Sequence, residues 1–218
     1  MLGSGENIDS AQGRRMEFKE VELEPYDPVN KRNLADGIVR RLNAHDAHVL
    51  PPNVRFLGAG VYLLYYVGKF KLYAGIAKRN SGKAVGIPIY VGKADPQGTR
   101  KGSGLDTTPG AALYGRLRNH SDRIRATTNL KVEDFRFRFV VLDHVWIRLG
   151  EAGLIDHYRP LWNSLLDGFG SKIPGIRRQS QQRSAWDTIH PGKGWPELLS
   201  AGKHQLESLS GEIKKFLT

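Results

Sequence analysis

Three runs of aromatic and β-branched residues follow one another closely: Gly60-Val61-Tyr62-Leu63-Leu64-Tyr65-Tyr66-Val67, then Phe70 to Ala74, then Ile87 to Val91. Side chains of this kind fit a pleated, half-buried surface, and glycines between such runs mark turns. The runs predict a small, mostly antiparallel sheet, with Gly68-Lys69 as a tight hairpin turn between the first two. One phrase is echoed along them: Tyr66-Val67-Gly68-Lys69 returns as Tyr90-Val91-Gly92-Lys93, with Tyr73-Ala74-Gly75 in between. Lys69 and Lys93, each following a glycine, are assigned to turns. The basic, glycine-containing stretch 76–86 reads as an insertion loop between strands, and 95–110 as another.

Helical spacing surrounds these runs. Leu34, Ile38, Val39 and Leu42 share one face of a helix over 33–45. Leu113, Leu117 and Ile124 form the apolar side of a second over 111–125, with Arg116, His120 and Arg123 on an adjacent stripe at i, i+4, i+7. Phe135, Phe137 and Phe139 alternate with Arg136 and Arg138 before the wholly apolar Val140 to Leu142, the pattern of a strand entering a core. A short helix from about Arg148 to Tyr158 should end at Arg159, because the residue before Pro160 avoids helical geometry. The tail from Lys172 to Gly194 is basic and irregular, and 196–217 closes with an amphipathic helix. The fold class is therefore α/β of the α+β type: a mostly antiparallel sheet of three strands or slightly more, flanked by helices.

Charge narrows the partners. The 218 residues hold 33 Lys and Arg against 22 Asp and Glu, a formal charge of +11, which attracts polyanions, and nucleic acid is the commonest of these. No apolar run is long enough to span a bilayer, so a soluble, cytoplasmic chain with no membrane partner is expected. The absence of cysteine excludes disulfides and thiolate zinc, leaving carboxylate, imidazole and water as metal donors, a set suited to magnesium. His45 and His48 have no third ligand nearby. Residues 1–15 are small and polar and read as a flexible leader, with Met16 a candidate initiator. Glu17-Phe18-Lys19 has the Glu-x-Lys of another magnesium nuclease class, but only Asp9, in the leader, precedes it.

Gly60-Val61-Tyr62, Tyr90-Val91-Gly92, the arginine-bearing helix around Arg116, and Glu151-Ala152-Gly153-Leu154-Ile155-Asp156-His157-Tyr158-Arg159-Pro160-Leu161-Trp162-Asn163 resemble, in order, the motifs of the GIY-YIG nuclease superfamily. The spacing of the two tyrosine motifs departs from the commonest pattern but resembles that of the superfamily's type II restriction endonucleases. Tyr73-Ala74-Gly75 lies at the shorter spacing usual in homing and repair members. Tyr90 is taken as the second motif, and Tyr73 as one arm of an inserted hairpin. The resemblance implies a nuclease core at 59–166, a helical extension at 16–58 and a C-terminal DNA-reading extension at 167–218.

The residue types suit phosphodiester hydrolysis, which needs an activated water and neutralisation of growing charge on the phosphate. The resemblance implies Glu151 as the single carboxylate ligand of magnesium, with manganese able to substitute. Arg116 would clamp the phosphate, Tyr62 would orient or deprotonate the attacking water, and Tyr90 would position water or phosphate. His120 would move a proton, to the leaving group or through Tyr62, and Asn163 would orient the site by hydrogen bonds. Lys172, Arg177, Arg178, Gln179, Gln182 and Arg183 lie beyond the core in a segment without acids, where arginine can read guanine and glutamine adenine. The partner implied is double-stranded DNA, at a palindromic and GC-rich site, read by a homodimer because a palindrome presents two strands related by symmetry.

Overall fold

The computed structural model of the chain describes residues 31–82, 85–96, 109–170, 182–192 and 205–218. The central strand is β2, Gly60–Tyr66, and every residue of it is buried. Val61, Leu63 and Tyr65 face one layer with Ile38, Leu42, Ile147 and Leu154, while Tyr62, Leu64 and Tyr66 face another with Leu113, Leu117, Phe135 and Phe137. A strand covered on both faces has no polar side, which is why its sequence is apolar without interruption. Both edges of β2 are occupied by antiparallel neighbours, β3 (Pro88–Ala94) and β4 (Phe135–Val141). The short β1, His48–Val49, pairs outside β4 and completes the order β1-β4-β2-β3. The antiparallel sheet flanked by helices is present, with four strands.

Phe70 to Ala74 is not a strand. Phe70 N–H donates to the Tyr66 hydroxyl at 2.7 Å, and the chain then winds into a 3₁₀ turn, Lys71–Tyr73, and a short helix α2, Ala74–Arg79. With β3 and β4 already on its two edges, β2 has no edge left for this segment to pair with, and the turn instead drives Tyr73 into the core. Gly68-Lys69 is accordingly no hairpin turn, and the stretch expected as a loop from residue 76 begins inside α2. Asn80 closes the connection: its amide donates to the Tyr66 and Ile87 carbonyls and its oxygen accepts from Gly86 and Ile87 N–H.

The helices sort onto the two faces. The layer of Val61, Leu63 and Tyr65 is covered by α1 (Lys31–Asn43) and α4 (His144–Tyr158), the other by α3 (Ala112–Arg125). The structure begins α4 at His144 rather than near Arg148, because Asp143 caps it with a side-chain oxygen that accepts from Val145 N–H at 3.1 Å. It ends at Arg159, in the left-handed region at φ +44°, ahead of Pro160. Short α5, Leu161–Ser164, follows.

The tail is less irregular than its composition suggests. Ser184 caps helix α6, Ala185–Ile189, and the final helix is described over Leu206–Leu217 as α7. Trp186, Ile189, Leu209 and Ile213 join the same core as Tyr62. Arg123 reaches out of α3 to an ion pair with Asp187 and lies 5.2 Å over the Trp186 ring, fastening α6 to α3. Arg138 also departs from the outward position that its alternation with phenylalanine suggests. It is buried, and its guanidinium donates to the carbonyls of His45 and Val85, each at 2.8 Å, and to the Tyr65 hydroxyl at 3.3 Å. His48 sits exposed in β1, and among the described residues no group of three metal-binding side chains occurs. No helix among the described residues is long and apolar enough to cross a membrane.

Candidate active site

The register of β2 against β3 places Tyr62 opposite Gly92. A side chain on Gly92 would run into the Tyr62 hydroxyl and the edge of Tyr90, so the glycine ending the second motif exists to let the tyrosine of the first lie across it. The glycine starting the first motif has a matching reason, since a Cβ on Gly60 would collide with the Val140 carbonyl of β4. The two tyrosine rings stand 6.2 Å apart on the face of the sheet that α3 covers.

From α3, His120 brings its Nε2 to 2.6 Å from the Tyr62 hydroxyl. Arg116, one turn earlier, stands beside the phenols of both Tyr62 and Tyr90. Burial pushes the Tyr62 phenol well above its ordinary range, and Tyr90 adds to the push while Arg116 opposes it. Tyr90 is raised for the same first cause. His120 moves the other way, down to about 3, because its charged form would be buried and would face Arg116. At neutral pH the pair is therefore an uncharged phenol and an uncharged imidazole, whose bare nitrogen can accept the phenolic proton. For Arg116 burial works against its charge, yet Tyr62 and Tyr90 outweigh it and raise the guanidinium, so it stays cationic.

Glu151 comes from the other helical layer and reaches the same outer strand. It lies inside α4 rather than in its first turn, so a favourable helix dipole does not account for it. One of its oxygens accepts from Lys93 Nζ at 2.6 Å, and both side chains stay partly open to solvent, at 29% and 22%. Its charge is felt at Tyr90, where it raises the phenol further. A lone carboxylate with solvent access fits a magnesium ion that keeps most of its waters, and Glu151 is the residue that would hold it. Lys93, set aside as a turn residue on sequence, is thus part of the site. The signal was its place three residues after Tyr90 at the end of an edge strand, where side chains reach around to the next layer.

Asn163 meets the backbone of β3. Its amide brackets Val91, accepting from Val91 N–H at 2.8 Å and donating to Val91 C=O at 2.9 Å. On an edge strand those two groups have no strand partner, so Asn163 supplies the missing rung and fixes Tyr90 and Gly92 on either side of it.

Tyr73, the rival second motif, lies elsewhere. Its hydroxyl meets His190 Nε2 at 2.5 Å and accepts from Trp162 Nε1 at 3.0 Å, while His190 Nδ1 pairs with Asn129 at 2.8 Å. This second tyrosine–histidine pair ties the C-terminal segment to the core. Of the residues assigned to DNA reading, Lys172, Arg177, Arg178 and Gln179 lie outside the described residues. Gln182 is exposed, and Arg183 is half-buried, with its charge helping to draw down the Asp187 carboxyl that burial pushes up.

A comparison with curated proteins finds no match. The profile of the Eco29kI GIY-YIG domain, by contrast, matches residues 54–217, a span that takes in the whole sheet edge just described and runs on through α7. A match over so much of its length makes this chain a member of the Eco29kI GIY-YIG domain family, a family of type II restriction endonucleases.

Proposed function

We propose that this GIY-YIG nuclease cuts double-stranded DNA at a specific palindromic, GC-rich site, as a homodimer, with one magnesium ion in each active centre and manganese able to replace it. The observation that carries the reading is the 2.6 Å contact between Tyr62 and an uncharged His120, set beside the permanent charge of Arg116. A water held at Tyr62 attacks phosphorus. As its oxygen bonds to phosphorus, its proton passes to the Tyr62 oxygen while the phenolic proton passes to His120 Nε2. The bond to the leaving oxygen breaks, and that oxygen takes a proton from solvent. Magnesium at Glu151 would supply charge neutralisation at the phosphate and the leaving oxygen.

The electrostatics make the step depend on substrate. In the free protein Arg116 disfavours an imidazolium at His120. A phosphate clamped by Arg116 offsets that charge and makes His120 a better acceptor when it is needed. Lys93 holds one oxygen of Glu151 and leaves the other to face a cation. The net charge of +11 favours association with the duplex, and the basic segment 172–183 is suited to reading base edges.

The test is incubation of phage and plasmid DNA with the protein and with Glu151→Gln, with and without magnesium. Discrete, metal-dependent fragments from the unmodified chain alone are expected, and the sequences of their ends give the site and its symmetry. Nicked circles without linear product would overturn double-strand cleavage, and equal cutting by Glu151→Gln would overturn the metal assignment.

A further inference from the structure

The turn 167–170 closes over the Tyr62–His120 pair from a side that none of the four motifs supplies. Phe169 lies face to face with His120, ring centroids 4.5 Å apart and planes within 17°. It meets Tyr90 edge-on at 4.9 Å. Behind it, Trp162 at 4.4 Å and Trp186 at 5.1 Å hold it in place. Gly170 then offers its carbonyl to Arg116, which donates from Nη2 at 3.1 Å. At φ +77° its backbone takes a conformation that other residues avoid. A Cβ there would stand 2.9 Å from His120 Cε1, 3.2 Å from Arg116 Nη2 and 3.4 Å from the Tyr90 hydroxyl.

Gly170 is thus at the meeting point of three of the groups assigned to cleavage, and the bare backbone fits there where a side chain does not. The ring of Phe169 stacks on one face of the imidazole. His120 is enclosed by Tyr62 from β2, Tyr90 from β3, Arg116 from its own helix, and Phe169 and Gly170 from the turn, with Arg116 carrying the charge among them.

We propose that Phe169 and Gly170 are positioning residues for DNA cleavage: Phe169 seals His120 from water and sets its ring plane, and Gly170 holds the Arg116 guanidinium between the two tyrosines. This rests on the assignment of Tyr62 and His120 to proton transfer. The turn immediately precedes the segment assigned to base reading, so the same short stretch of backbone joins reading to cutting.

The experiment follows the His120 imidazole by NMR through a pH titration, its resonance identified by loss in His120→Asn, alongside cleavage rate and DNA affinity. Phe169→Leu keeps the site apolar but removes the stacked ring, so water reaches the imidazole. Its titration should move up from about 3 toward the ordinary ~6.5, and because the ring plane is no longer set against Tyr62, cleavage should slow about tenfold to a hundredfold despite the gain in basicity, at unchanged affinity. Gly170→Ala adds one methyl against Arg116 and His120 in a half-buried turn and should slow cleavage similarly at saturating DNA. An unmoved His120 titration in Phe169→Leu, or a wild-type rate in both variants, overturns the positioning role. Full activity in His120→Asn overturns the proton-transfer assignment beneath it, and the role falls with it.

Discussion

Tyr62 and Tyr73 are both fully buried, both hydrogen-bond a buried histidine, and differ in what else they face. Tyr62 has Arg116 beside it and an edge strand next to it, whereas Tyr73 has Trp162, Phe70 and His190. A charge that can stabilise a phenolate is present in the first case. Substitution by phenylalanine should separate them. Tyr73→Phe leaves His190 Nε2 and Trp162 Nε1 without their partner and should cost stability, about 2–4 kcal/mol by urea unfolding, while cleavage at saturating DNA stays within about threefold. Tyr90→Phe should show the converse pattern. Loss of turnover in Tyr73→Phe with a stable fold would contradict the assignment.

Among the elements, β3 carries the most weight because it is an edge. One side pairs with β2, and the other is completed at Val91 by the Asn163 amide from α5. Asn163→Ala should expose both Val91 groups, lowering stability by roughly 1–3 kcal/mol and slowing cleavage through misplacement of Tyr90. Asn163→Ala activity equal to the unmodified chain would show that β3 needs no such bracket. In β4, Arg138→Ala leaves the Tyr65 hydroxyl and the Val85 carbonyl unpaired in the core and should cost about 3 kcal/mol, seen as a fall in the denaturant midpoint.

These elements differ in how far the sequence discloses them. The apolar run of β2, the stripe on α3 and the motif glycines are local patterns, and each forces one geometry. The segment after Tyr66 misleads because Phe70 and Tyr73 have strand-forming side chains, and the occupation of both edges of β2 leaves it no room for a third partner. Arg138 misleads likewise: its burial is decided by carbonyls from α1's end and from Val85, far away in sequence. Lys93 is marked in the sequence only by its place after Tyr90 near the end of an edge strand, and the turn at Phe169 belongs to the site by contacts across layers, which no spacing encodes.

At the scale of the whole molecule, two buried histidines make stability depend on pH. His120 and His190 are both held near about 3 by burial, against an unfolded value near ~6.5. Their folded values are depressed, so the unfolded chain binds protons that the folded one refuses. Stability is therefore full above about pH 6.5 and falls as pH drops toward about 3, by at most ~2.7 kcal/mol per pH unit for the pair. Asp187, whose buried carboxyl is pushed up, acts in the opposite sense and makes the slope shallower. Urea midpoints should be lower at pH 5.5 than at pH 7.5; a midpoint that holds or rises on acidification would refute this. Because His190 ties the C-terminal segment to Tyr73 and Trp162, while Phe169 and Trp186 link Trp162 to His120, the segment and the site share one aromatic core.

The claim on which the rest depends is that the Tyr62 hydroxyl takes part in breaking the phosphodiester. Tyr62→Phe removes one oxygen from a fully packed ring and leaves the sheet, the phosphate clamp and the carboxylate in place. Its single-turnover cleavage rate on a plasmid, measured beside DNA affinity in magnesium, is predicted to fall by about a thousandfold with affinity unchanged. Cleavage within about threefold of the unmodified protein would contradict it, and the pair at the sheet edge would then be packing alone.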